Sequence, residues 1–269
     1  MMNNEAKHTF LNSFIGGSIA LFIAGRYFNK SSAISLMRRF WWNDLMTNHF
    51  SFTKNSPWYT ALTYSMQHSS NRHLGLNMAL MYGLGNQLAD RPDFSAAALV
   101  GLTATSATAA ASAESVALVK PLVGASGVAM GYLSALTLLD PEKTWLMIFP
   151  IPGVPVTTLQ LFQGTLAGHV GWLSYKGLFT PTNVAIRGHL GGLVAGLLYT
   201  QTLHGKTLVE TFHGSRHQWE RTITSAELVV YWVYLSLRLM LPMPFSGEEE
   251  IGALRTKQRF LKRVWEEDF

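Results

Sequence analysis

The strongest constraint on this chain is a series of apolar runs, each close to 20 residues long and almost free of charge, separated by polar turns. About 20 mostly apolar residues are what an α-helix needs to cross the hydrocarbon of a bilayer. The runs are Phe10 to Phe28, Ser70 to Leu88, Phe94 to Ala113, Leu122 to Leu139, Val156 to Tyr175 and Val184 to Leu203. The third is a weakly apolar stretch of Ala, Thr and Ser, which suits a tightly packed span better than a linker. Charged residues make up 14% of the chain and hydrophobic ones 48%, well short of the charge a soluble domain carries. The sequence therefore predicts an all-α polytopic membrane protein built on a bundle of six transmembrane helices.

Around that core, residues 1–9 form an N-terminal tail and 10–203 the membrane core. Residues 204–245 form a post-core segment, and 246–269 a charged soluble tail. Within the post-core segment, 226–241 is apolar but carries Glu227 and Arg238, and fits either a short seventh span or an interfacial helix. The long connection from Asn29 to about Ser70 is rich in Trp and Arg, a composition suited to the membrane surface. WLMIFPIPGVPV, with Pro150, Pro152 and Pro155, cannot be one continuous helix and belongs at the interface. The first run follows a barely basic opening and ends in Arg26, so it reads as a retained span and not as a cleaved signal.

Composition also narrows the chemistry. With no Cys there can be no disulfide, thiol nucleophile or Cys-based zinc site. The formal charge of +5 is scattered over loops and tail, which suits lipid headgroups and not a nucleic acid. No metal site or cofactor is expected: H-E-x-x-H is absent, and His213 and His217 read as solvated loop residues.

Consecutive spans alternate direction, so the second, fourth and sixth enter from the same side. His73 and Asn77 near the start of the second, Ser126 near the start of the fourth and His189 near the start of the sixth then lie at one depth. Polar side chains in a membrane are costly and tend to mark function. Ser becomes a nucleophile when a neutral imidazole accepts its proton, and His189 can do so. His73, Asn77 and the Ser126 N–H could donate to the oxyanion of a tetrahedral intermediate. Gly192 and Gly196 share the His189 face, and glycines also flank Ser126, allowing close approach of two helices. No carboxylate accompanies His189 in its span, so a dyad is expected. His169 in the fifth span reads as a packing hydrogen-bonder.

The segments H-S-S-N-R-H-L-G-L-N-M (His68 to Met78), G-A-S-G (Gly124 to Gly127) and H-L-G-G-L-V-A-G (His189 to Gly196) together resemble the rhomboid intramembrane serine proteases. The resemblance implies Ser126 as nucleophile, His189 as general base and then acid, and His73 with Asn77 at the oxyanion. It places His68 just before the second span in a supporting role, and Gly192 and Gly196 as packing glycines. Where the family often has an aromatic residue four after the nucleophile, stacked on the catalytic His, this chain has Met130. With GASGVAM, that is similar to the mitochondrial, presenilin-associated branch, which implies the mitochondrial inner membrane. That branch typically carries an extra span before the core, absent here. The acidic residue usual near the end of the second span is displaced to Asp90, and the Trp-Arg pair of the first loop appears as Arg38-Arg39-Phe40-Trp41-Trp42. The implied substrates are transmembrane helices of other proteins. The alternative is a catalytically silent member that binds helices as a structural subunit of a mitochondrial membrane complex. Lys and Arg crowd both sides of the core about equally, so charge does not set the orientation.

Overall fold

The computed structural model describes residues 2–30, 36–116, 118, 120–146, 155–176, 185–206 and 211. The expected seventh span or interfacial helix at 226–241, the charged tail, His213 and His217 lie outside the described residues. The chain divides into two compact units, Met1–Thr144 with Thr157–Leu208, and Trp145–Val156 with Val209–Phe269.

In the first unit, two of the helices start where a serine hydroxyl caps them. Ser70 Oγ accepts the His73 N–H at 3.2 Å and opens α4 (Asn71–Asp90). Ser95 Oγ accepts the Ala98 N–H at 3.0 Å and opens α5 (Ala96–Ser115). Before them come α1 (Met2–Lys30), α2 (Leu36–His49) and a short α3 (Thr60–Thr63) that runs on into a 3-10 turn, Tyr64–Met66. After them come α6 (Ser126–Leu139), α7 (Thr158–Lys176) and α8 (Ile186–His204), the last closed by Gly205 in the left-handed conformation at φ 69°. In the second unit the described residues are few. Trp145, Leu146, Pro155 and Val156 lie in a two-stranded ribbon of β1 (Thr144–Leu146) and β2 (Pro155–Thr157).

Helix α6 is the centre of the first unit, buried at every position from Gly127 to Leu139. It packs with α5 and α8, while α1 lies against α4. Small residues make the inner packing possible: Ala107, Ala110 and Ala111 of α5 are buried. The Thr103 hydroxyl reaches Tyr132 Oη at 2.7 Å to satisfy two buried polar groups at once. The outward faces are apolar too. Leu76 and Tyr82 on α4, Val170 and Trp172 on α7, and Val194 and Leu198 on α8 are all exposed. An inside and an outside that are both apolar are what a lipid solvent demands. Asn4–Phe28 and Ala96–Ser115 have the length and apolarity to cross a membrane.

Two details depart from the sequence expectation. The first helix begins at Met2 and not at Phe10, and the long connection after it holds α2 and α3. Helix α6 begins only at Ser126, although its apolar run begins at Leu122. The reason is backbone geometry: Leu122 pairs with Phe52 in an isolated antiparallel bridge, and Gly124 sits at φ 114°, where no helix can pass.

Candidate active site

The extended residues before α6 are tied down from several directions. Phe52 N–H donates to the Leu122 carbonyl at 3.1 Å, and Leu122 N–H returns a bond to the Phe52 carbonyl at 2.9 Å. Gly124 N–H donates to the Tyr64 carbonyl at 3.0 Å, and Tyr64, fully buried, donates its hydroxyl to the Ala107 carbonyl at 3.1 Å. Ala125 N–H donates to His68 Nε2 at 3.4 Å, while His68 Nδ1 faces the Met66 carbonyl at 3.3 Å. These bonds fix where α6 starts, and therefore where its first residue, Ser126, projects.

Across from it, the α8 backbone comes unusually close. A Cβ added at Gly192 would fall on the Gly127 carbonyl group, and one at Gly196 on that of Gly131. Only two bare helix faces can approach so far. The result is that Ser126 Oγ lies 2.8 Å from His189 Nε2. On its other side the His189 ring meets His169 of α7, with His189 Nδ1 2.7 Å from His169 Nε2 and His169 Nδ1 2.6 Å from the Thr165 carbonyl.

His73 and Asn77, one turn apart on α4, face the positive-φ residue that precedes the nucleophile. The site a Cβ would occupy on Gly124 is 2.6 Å from His73 Nε2 and 3.4 Å from Asn77 Nδ2. His73 Nδ1 receives the Ser69 N–H at 3.5 Å, which puts the ring proton on Nε2. Asn77 is buried, and its Nδ2 has no hydrogen-bond partner among the described residues. Two N–H donors thus meet over a glycine, and the amide of one is unsatisfied. A buried donor without a partner costs stability, so its presence points to a use. His68 stacks edge-on against His73, with ring centroids 5.1 Å apart. Burial, and next the neighbouring His73, push its imidazole down to about 4, so it is neutral near pH 7 and can accept from Ala125.

A Rhomboid domain model matches residues 55–206, more than half the chain and all of the side chains just described. The chain belongs to the rhomboid family. It is an integral membrane protein of a family of intramembrane serine proteases that act on transmembrane helices. No curated protein matches it.

The structure thus brings Ser126, His189, His73 and Asn77 together around Gly124, with His68 behind them and Gly127, Gly192 and Gly196 in the seam between α6 and α8. Met130, in place of the family's stacking aromatic, is buried within α6. Two further features of this rhomboid domain were not placed at the site from the sequence. One is His169, read from the sequence as a packing hydrogen-bonder, whose Nε2 meets the His189 ring. The other is Glu114 at the end of α5, whose Oε2 accepts the Gly188 N–H at 2.9 Å and whose Oε1 lies 3.7 Å from Arg187 Nη1. Both members of that ion pair are buried, and they hold the first turn of α8 directly before His189. Span alternation contains the signal for it, since the end of the third run and the start of the sixth lie on one side. Among the described residues, no group of three or more His, Asp or Glu could hold a metal ion.

Proposed function

We propose that the chain is an active serine-type endopeptidase that cleaves transmembrane helices of other membrane proteins. The observation that carries this reading is the 2.8 Å approach of Ser126 Oγ to His189 Nε2, beside two side-chain donors, His73 and Asn77, that face Gly124. In the acylation step, Ser126 Oγ attacks the scissile carbonyl carbon while its proton moves to His189 Nε2. Negative charge collects on the carbonyl oxygen, which is received by His73 Nε2–H and Asn77 Nδ2–H near the N-terminal end of α6. Collapse of the tetrahedral intermediate breaks the C–N bond, and His189 returns the proton to the departing amine. Water then hydrolyses the ester, with His189 as base and then acid in the same order.

The proposal includes a core of six spans over residues 10–203, formed by α1, α4, α5, α6, α7 and α8. It also includes the presenilin-associated branch and the mitochondrial inner membrane, both motivated by GASGVAM and Met130. Helix α6, with 14 residues, is only about 21 Å long, shorter than the roughly 30 Å hydrocarbon core.

The full-length protein in lipid vesicles should react covalently with a fluorophosphonate and cleave a model transmembrane helix, and Ser126→Ala should abolish both. Equal labelling of wild type and Ser126→Ala would defeat the assignment. A wild type that neither labels nor cleaves, and that purifies from mitochondria within a stable larger complex, would favour the catalytically silent helix-binding subunit instead.

A further inference from the structure

We infer that His169 is a positioning residue for the reaction, fixing the tautomer and orientation of His189 from the backbone of α7. This rests on the Ser126–His189 reading above and adds a third group to it. Each link in the chain of contacts permits one direction of donation only. The Thr165 carbonyl can accept but not donate, so His169 Nδ1, at 2.6 Å, carries a proton. In a neutral imidazole the other nitrogen then holds a lone pair. His169 Nε2 therefore accepts, at 2.7 Å, from His189 Nδ1–H. That leaves the lone pair of His189 on Nε2, the atom 2.8 Å from Ser126 Oγ. A backbone carbonyl of one helix thus determines, through two rings, that the nitrogen facing the nucleophile is the basic one.

The same bond also holds the His189 ring in place. The two rings lie 4.9 Å apart at 60°, meeting through their nitrogens and not face to face. A ring with both nitrogens engaged has one orientation about its χ2. This does for His189 what a stacked aromatic would do, at a site where the chain has Met130 at the corresponding position of α6. When His189 takes the Ser126 proton, its Nδ1–H becomes a charge-assisted donor and the bond to His169 strengthens, which favours the charged intermediate over the resting state. The proton stays on His189, and His169 gains or loses nothing in the cycle.

Two substitutions separate this role from packing. His169→Leu keeps bulk and removes the acceptor, whereas His169→Gln retains an acceptor oxygen at similar reach. In lipid vesicles, His169→Leu should lower the rate of fluorophosphonate labelling at Ser126 about 10- to 100-fold, the range set by loss of one charge-assisted hydrogen bond. His169→Gln should recover most of that loss. In parallel, nitrogen-15 spectra of histidine-labelled protein should place the His189 proton on Nδ1 in the wild type and in His169→Gln, and shift it toward Nε2 in His169→Leu. Equal losses in the two variants, no loss in either, or a wild-type His189 protonated on Nε2 would overturn the inference. The spectra need no turnover. A wild type never labelled at Ser126 but protonated at His189 Nδ1 would sink the dyad while His169's control of the tautomer stood. Normal labelling in His169→Leu would do the reverse.

Discussion

Gly192→Ala tests whether close approach of α6 and α8 sets the reacting geometry. A methyl group there would lie 2.9 Å from the Gly127 carbonyl carbon and 3.2 Å from its Cα, with the carbonyl oxygen nearer still. Ordinary contact begins near 3.4 Å, and the obstacle is backbone, which cannot rotate aside as a side chain would. The helices must separate by about 1 Å, at an overpacking cost of about 1–3 kcal/mol. His189 lies one turn from Gly192 and moves with it. The Ser126–His189 distance of 2.8 Å then stretches to about 3.8 Å, beyond hydrogen-bond range. A misplacement of that size costs on the order of 100-fold in rate. Fluorophosphonate labelling and cleavage of a model helix, each measured beside thermal unfolding in the same detergent, would read both effects. The matched control is Gly168→Ala on α7, where an added methyl meets nothing within 4 Å among the described residues, and where stability should hold or rise by less than about 1 kcal/mol. Wild-type labelling and melting in Gly192→Ala would refute the premise that this contact holds the pair together.

Further outcomes follow from the same geometry. Asn77→Ala should slow cleavage about 100-fold while changing stability by less than about 1 kcal/mol, because the amide nitrogen it removes has no partner among the described residues to lose. Glu114→Leu should cost about 3 kcal/mol in thermal unfolding by leaving Arg187 buried opposite an apolar side chain, and should slow labelling by loosening the first turn of α8. The His68 imidazole sits near 4 when folded and near 6.5 when unfolded, so the unfolded chain takes up the proton first as pH falls. Its contribution to stability should be complete above about pH 6.5 and decline toward pH 4, and His68→Gln should flatten that slope in a pH series of unfolding curves.

Much of the helical layout could be read from apolar run lengths. α4, α5, α7 and α8 begin within about two residues of their runs, because in lipid the cost of unpaired backbone groups makes an apolar run and a helix nearly the same object. Where the rule failed, at Leu122 to Ala125, hydrophobicity was the wrong measure. The conformation there is set by a bridge to Phe52 and by Gly124, partners that hydropathy does not contain. Counting depth from span ends was enough to bring Ser126, His189, His73 and Asn77 to one level. It also leaves His169 about 10 Å below the end of α7 at 1.5 Å per residue, at about the depth of Asn77. Its place beside His189 depends on where α7 stands laterally, which no count along one helix reveals. Glu114 was passed over because it falls just beyond the uncharged Ala-rich run, although the alternation that aligned Ser126 with His189 aligns it with Arg187.

The buried Glu114–Arg187 pair bears on how the protein is made as well as how it stands. Each charge alone is expensive inside a bilayer, and the acid is synthesised well before its base. Bringing α8 against α5 sets each charge beside one of opposite sign. Pairing with Glu114 therefore favours the one placement of α8 in which its first turn, directly before His189, lies against the end of α5.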